Sequence, residues 1–290
     1  MLFLVPTNFS LASMPAILKA VAFFLIWATL WLPIAIPLAI ALQWHPPQPL
    51  GPKKLPLLAS LYGIVPLILW GASQIEGLPF SEFGLAWQPQ IFRSFGIGLS
   101  LGVFSLAILF SIQFTLGWIE QPATDPEIGE KIHSHPPLLK SLLPTASFTL
   151  LIAVWVSITE EVIFRGFLQQ ELQQDYSGII AAAIASFIFA IAHLLWEFQD
   201  TLPQLPGLWL MGMVLAWART CDSGSLGIAI GLHAGWIWVI ATLDTAQLIT
   251  YKASVPEWVT GIRAKPLASA SGILLLLTTA GLLAIIKGRF

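Results

Sequence analysis

Charge is what this sequence has least of. Lys, Arg, Asp and Glu make up 10% of its 290 residues, against about 25% in soluble domains, so a water-soluble fold is all but excluded. Net charge is −2 and no basic patch stands out, which argues against nucleic acid as a partner. Cysteine is nearly missing: Cys221 stands alone, closes no internal disulfide, and leaves the redox compartment unread. Two-residue alternation is missing too. The apolar runs are about 18 to 25 residues long and continuous, which selects helices over barrel strands.

What is abundant is apolar surface, at 57% of residues, and tryptophan, with 13 copies. In lipid every backbone polar group must be satisfied within its own segment, and indole favours the bilayer interface. The chain therefore reads as an all-α, polytopic (multi-pass) integral membrane protein with about eight transmembrane helices. The apolar segments fall near 17–42, 56–73, 95–119, 141–158, 178–196, 205–220, 225–243 and 267–286, each close to the ~20 residues that span ~30 Å of hydrocarbon. The segment at 205–220 is the shortest. The first follows Lys19 and is too long for a signal-peptide core, so it reads as a retained span. The linker "WHPPQPLGPKKLP" (44–56) is rich in proline, which fixes φ and removes donors, and belongs outside the bilayer. The loop 119–140 is polar and acidic and reads as solvated. The 13 basic residues divide almost evenly between the two faces, so the positive-inside rule gives no orientation. Three regions result: 1–140, N-terminal helices and polar loops; 141–245, the chemically loaded core; 246–290, a loop and the last helix.

Within the core, "TEEVIFRGFLQQEL" (159–172) places two glutamates and an arginine between long apolar runs. No turn residue precedes Thr159, so the helix is expected to run through the glutamates to about Gln174, where Asp175 and Gly178 offer a stop. Glu161 and Arg165 then sit at i, i+4 with Glu on the N-terminal side, the favourable order for an ion pair. Glu160 lies about 100° away, with Phe164 and Phe167. The expectation is one paired carboxylate and one unpaired. Desolvation favours the neutral form of an unpaired carboxylate, which suits a general base near neutral pH. The competing reading puts both glutamates in a solvated inter-helix loop.

Two histidines follow inside apolar spans. His193 ends "FIFAIAH", four residues after Phe189. His233 lies in "GLHAGW" among Gly231, Ala234 and Gly235, small residues that let helices approach closely. An intramembrane ionisable group is costly and marks a functional site by default, yet each histidine alone reads equally well as a hydrogen-bonded packing residue. Three polar clusters on three otherwise apolar helices supply a base, an imidazole and a donor, the parts that activate water and stabilise an oxyanion.

The series "EEVIFR" (160–165), "FAIAH" (189–193) and "HAGWI" (233–237) resembles the EExxxR, FxxxH and HxxxN motifs of the CAAX protease and bacteriocin-processing family of intramembrane proteases, which includes type II CAAX prenyl endopeptidases. The resemblance covers about 141–243. It implies intramembrane peptide-bond hydrolysis of a membrane-embedded or lipidated substrate, with no cofactor. Glu160 would activate water with His193 as its partner, His233 would help form the oxyanion hole, and Glu161 with Arg165 would hold the helix in register. One position departs from the pattern: the family's Asn is Ile237, which has no donor. Trp238 offers an indole N–H but points about 100° away, and Asn8 and Gln247 lie outside the expected site. Three other readings use the same residues: a zinc metalloprotease with Glu and His ligands, opposed by Arg165 and the lack of HExxH; a non-catalytic membrane scaffold or chaperone, supported by Ile237; and a transporter with a Glu/His proton relay, opposed by the lack of paired interrupted helices.

Overall fold

The computed structural model describes residues 14–45, 48, 50–86, 88–122 and 138–287. The expected apolar segments are all helical. They are α1 (Ala16–Ala41), α2 (Lys54–Gly63), α3 (Val65–Glu76), α4 (Pro89–Thr115), α5 (Leu138–Glu161), α6 (Gly178–Ala192), α7 (Leu205–Cys221), α8 (Gly227–Thr245) and α9 (Ala270–Ile286). Six spans are long and apolar enough to cross a membrane, with α2 and α3 together forming one of them. The helices α7 and α9 have 17 residues each and fall short of that length, so a count of eight spans is not reached on length alone. The small antiparallel ribbon β1 (Ile119–Glu120) with β2 (Thr250–Tyr251) is the only sheet among the described residues. Most of the polar loop 119–140 and the termini lie outside the described residues, as does Asn8.

Helix α5 runs through the glutamates as its sequence predicts, but not as a plain α-helix. It widens into a π-helical segment over Val162–Leu168 and closes with one α-turn, Gln169–Leu172. Such widened turns recur at functional sites. Two contacts hold this one. A Cβ on Gly166 would lie 2.8 Å from the carbonyl oxygen of Phe83, so only glycine admits that loop. Arg219, at the end of α7, donates from Nη1 to the Arg165 carbonyl and from Nε to the Gly224 carbonyl at 3.0 Å.

Helix α8 is the structural centre, wedged between α4 and α5. On the α4 side the two backbones touch: a Cβ on Gly98 would come within 2.2 Å of the Ile228 carbonyl oxygen, and one on Gly231 within 2.1 Å of that of Phe95. This is the close approach that small residues permit between membrane helices. On the α5 side, Thr149 and Thr242 share a hydroxyl hydrogen bond at 2.7 Å, and the Trp238 indole donates to the Ala146 carbonyl at 2.8 Å.

The N-terminal helices carry more polar chemistry than their composition suggests. Lys19 is not a flanking charge; it lies buried in the first turn of α1. Its Nζ reaches Glu76 at 3.0 Å, Glu171 at 3.2 Å and the Gln174 amide oxygen at 3.2 Å. That cluster ties α1, α3 and the end of α5 together, while Asp175 accepts the Ala16 N–H at 2.6 Å.

Candidate active site

Phe189 stands at the hub of the site. Its fully buried ring carries the Arg165 guanidinium carbon 4.4 Å from its centroid, a cation–π contact. Phe164 packs on it edge-on at 5.1 Å, and the imidazoles of His193 and His233 lie at 4.5 and 6.0 Å. The phenylalanine of the second motif is thus the platform that gathers the charged residue of the first and both histidines.

Glu161 and Arg165 form the expected pair, Nη1 to Oε1 at 2.9 Å, with 0% and 1% of their side chains exposed. The same carboxylate oxygen receives His233 Nδ1 at 2.8 Å. A carboxylate held by a guanidinium only accepts, so Nδ1 carries a proton. His233 Nε2 then faces Glu160 Oε2 at 3.7 Å. One imidazole from α8 therefore stands between both glutamates of α5.

Glu160 was expected to be unpaired, and the structure corrects this. The Tyr62 hydroxyl, from α2, donates to Glu160 Oε1. Helical spacing within α5 could not reveal a donor 98 residues away on another helix. Glu160 Oε2 is buried and makes no hydrogen bond, so one oxygen of this carboxylate is held and the other is free to accept. The ring of Tyr62 is fixed between Trp155, at 5.7 Å edge-on, and Trp27, at 6.4 Å. The chain has three tyrosines, and this is the one inside an early apolar run. Pro66, four residues on, cannot donate to the Tyr62 carbonyl, which is why the helix breaks at Ile64. A phenol at a proline break inside a membrane span was the signal available.

His193 sits just past the end of α6. Its Nδ1 lies 2.8 Å from the Phe189 carbonyl. A carbonyl only accepts, so Nδ1 is the protonated nitrogen and, in the neutral ring, Nε2 keeps its lone pair. The structure brings His193 to the cluster through Phe189, and it is His233 that contacts Glu160 directly.

Ile237 is half-buried against the apolar core, one turn beyond His233 on the same face of α8. Trp238 spends its N–H on α5, and Gln247 lies beyond the end of α8. Neither replaces the missing amide. Among the described residues no group of three or more His, Cys, Asp and Glu has a metal-holding arrangement. Arg165 holds one oxygen of Glu161 and Tyr62 one oxygen of Glu160, leaving Glu160 Oε2 and Glu161 Oε2 without hydrogen-bond partners.

No curated protein and no solved structure matches the chain. Residues 142–239, which hold all three motifs, match the model of the type II CAAX prenyl endopeptidase Rce1-like family. The matched segment is about a third of the chain, and through it the chain is similar to that family of membrane-embedded proteases.

Proposed function

We propose that the protein is an intramembrane endopeptidase that cleaves a membrane-associated, lipidated peptide with water activated by Glu160. The observation that carries the reading is the free Oε2 of Glu160, buried, held in place through Oε1 and facing an imidazole nitrogen at 3.7 Å. A water hydrogen-bonded to that oxygen gives it a proton as the water oxygen attacks the scissile carbonyl carbon. Negative charge develops on the carbonyl oxygen, beside His233. When the C–N bond breaks, the proton passes from Glu160 to the departing nitrogen, with His193 Nε2 available to carry it. The products are a carboxylate and an amine. Glu161 and Arg165 hold the His233 ring and do not touch the substrate.

The substrate class rests on the family and on the surface outside the site. An open apolar groove between α1 and α6 is lined by Ile17, Val21, Phe24 and Ile188. It is one ring from the cluster, because Phe24 packs on Phe164 at 6.1 Å. An acyl or isoprenyl chain has the chemistry to lie there.

The test is cleavage of a fluorogenic farnesylated CAAX peptide by purified protein in detergent. Wild type should cleave it and Glu160→Gln should not, with both eluting as folded monodisperse species. Cleavage that survives Glu160→Gln removes the assignment. A second reading, a non-catalytic scaffold on the protease fold, is favoured by Ile237. It predicts no cleavage by wild type and unimpaired cellular function for Glu160→Gln.

A further inference from the structure

We propose that Tyr62 supplies the oxyanion donor that the third motif lacks at Ile237. The inference rests on the protease reading above and assigns a role to a residue outside the three motifs.

Four observations support it. First, the hydroxyl of Tyr62 touches the base itself, donating to Glu160 Oε1. A carbonyl attacked by water bound to Oε2 of the same carboxylate therefore lies within one or two hydrogen-bond lengths of that hydroxyl. Second, the phenol is preorganised: Tyr62 is buried between Trp27 and Trp155, and the Trp27 indole donates to the neighbouring Leu61 carbonyl at 3.0 Å. Donors fixed before the reaction are the ones that stabilise developing charge. Third, Ile237 offers no hydrogen bond from the position where the family's motif has an amide, and the indoles on either side are committed, Trp236 to the Ser105 hydroxyl and Trp238 to the Ala146 carbonyl of α5. Fourth, His233 gives its Nδ1 proton to Glu161, so its Nε2 is a donor only as the imidazolium. A neutral O–H beside it donates whatever the charge of that ring.

The charge movement gives the phenol its role. In the resting site Glu160 is the anion and Tyr62 donates to it. When water transfers its proton to Oε2 and its oxygen bonds to the carbonyl carbon, Glu160 becomes neutral and the negative charge appears on the substrate oxygen. The phenolic hydrogen bond follows that charge, and the phenol keeps its proton throughout.

The experiment compares wild type, Tyr62→Phe, Glu160→Gln and Tyr62→Phe with Ile237→Asn on the farnesylated peptide, reading kcat and KM separately. Tyr62→Phe should lower kcat by about 10²–10³-fold, the effect of losing one oxyanion donor, with KM unchanged. Ile237→Asn in that background should recover at least a tenfold share. Unchanged kcat in Tyr62→Phe overturns the proposal while inactive Glu160→Gln keeps the protease reading intact. A loss that Ile237→Asn does not recover makes Tyr62 a positioning residue for Glu160 and also overturns it. Inactive wild type, or active Glu160→Gln, sinks the protease reading instead.

Discussion

The Arg165 guanidinium lies over the Phe189 ring at 4.4 Å while its Nη1 holds Glu161 at 2.9 Å. Ion pair and aromatic face thus share one cation, and the first two motifs are a single packed unit. Removing one partner of a buried pair leaves an uncompensated charge, at a cost of about 3–5 kcal/mol. Arg165→Ala should therefore lower the melting temperature in detergent markedly. An unchanged melting temperature would show that the pair contributes nothing to stability.

The two histidines should separate. His233 is 2% exposed and donates to Glu161, so His233→Ala should reduce both cleavage and thermal stability. His193 is half-buried and bonded to a backbone carbonyl within its own helix. His193→Ala should abolish cleavage while the melting temperature changes little. Equal melting-temperature losses in the two variants would contradict the different anchoring described for them.

The contact between α4 and α8 predicts sensitivity to a single methyl group. A Cβ at Gly231 would meet the Phe95 carbonyl oxygen at 2.1 Å, and overpacking of this kind costs about 1–3 kcal/mol or more. Gly231→Ala should lower thermal stability and, by moving His233, cleavage as well. Gly281→Ala is the control, since nothing lies within 4 Å of a Cβ there.

Chelator separates the glutamate mechanism from a zinc one. Cleavage by the purified protein should be unchanged by a strong chelator and by added zinc. Activity lost to chelator and restored by zinc would reassign Glu160 and His233 as ligands.

The Glu161–Arg165 pair was legible because i, i+4 spacing is a property of one helix. So was the close approach at Gly231, since small residues state how near a partner comes. The partner's identity, α4, was not stated, because the sequence carries no register between helices. The same limit hid Tyr62: a carboxylate that spacing leaves free can still be held by another helix. It also blurred which histidine meets Glu160, a question settled by how α8 rotates against α5. The widened turn after Glu161 left no mark in apolar periodicity. Its supports, Phe83 and Arg219, lie far away in the chain.

The glycine contact between α4 and α8 has a mechanical meaning. Where main chain rests on main chain, no side chain stands between to change rotamer, so His233 is placed as firmly as two helix backbones can place anything. Adjustment at the site is left to the torsions of Glu160 and His193, since Tyr62 is fixed between Trp27 and Trp155. The backbone contact is the fixed half of the site, and these two side chains are its adjustable half.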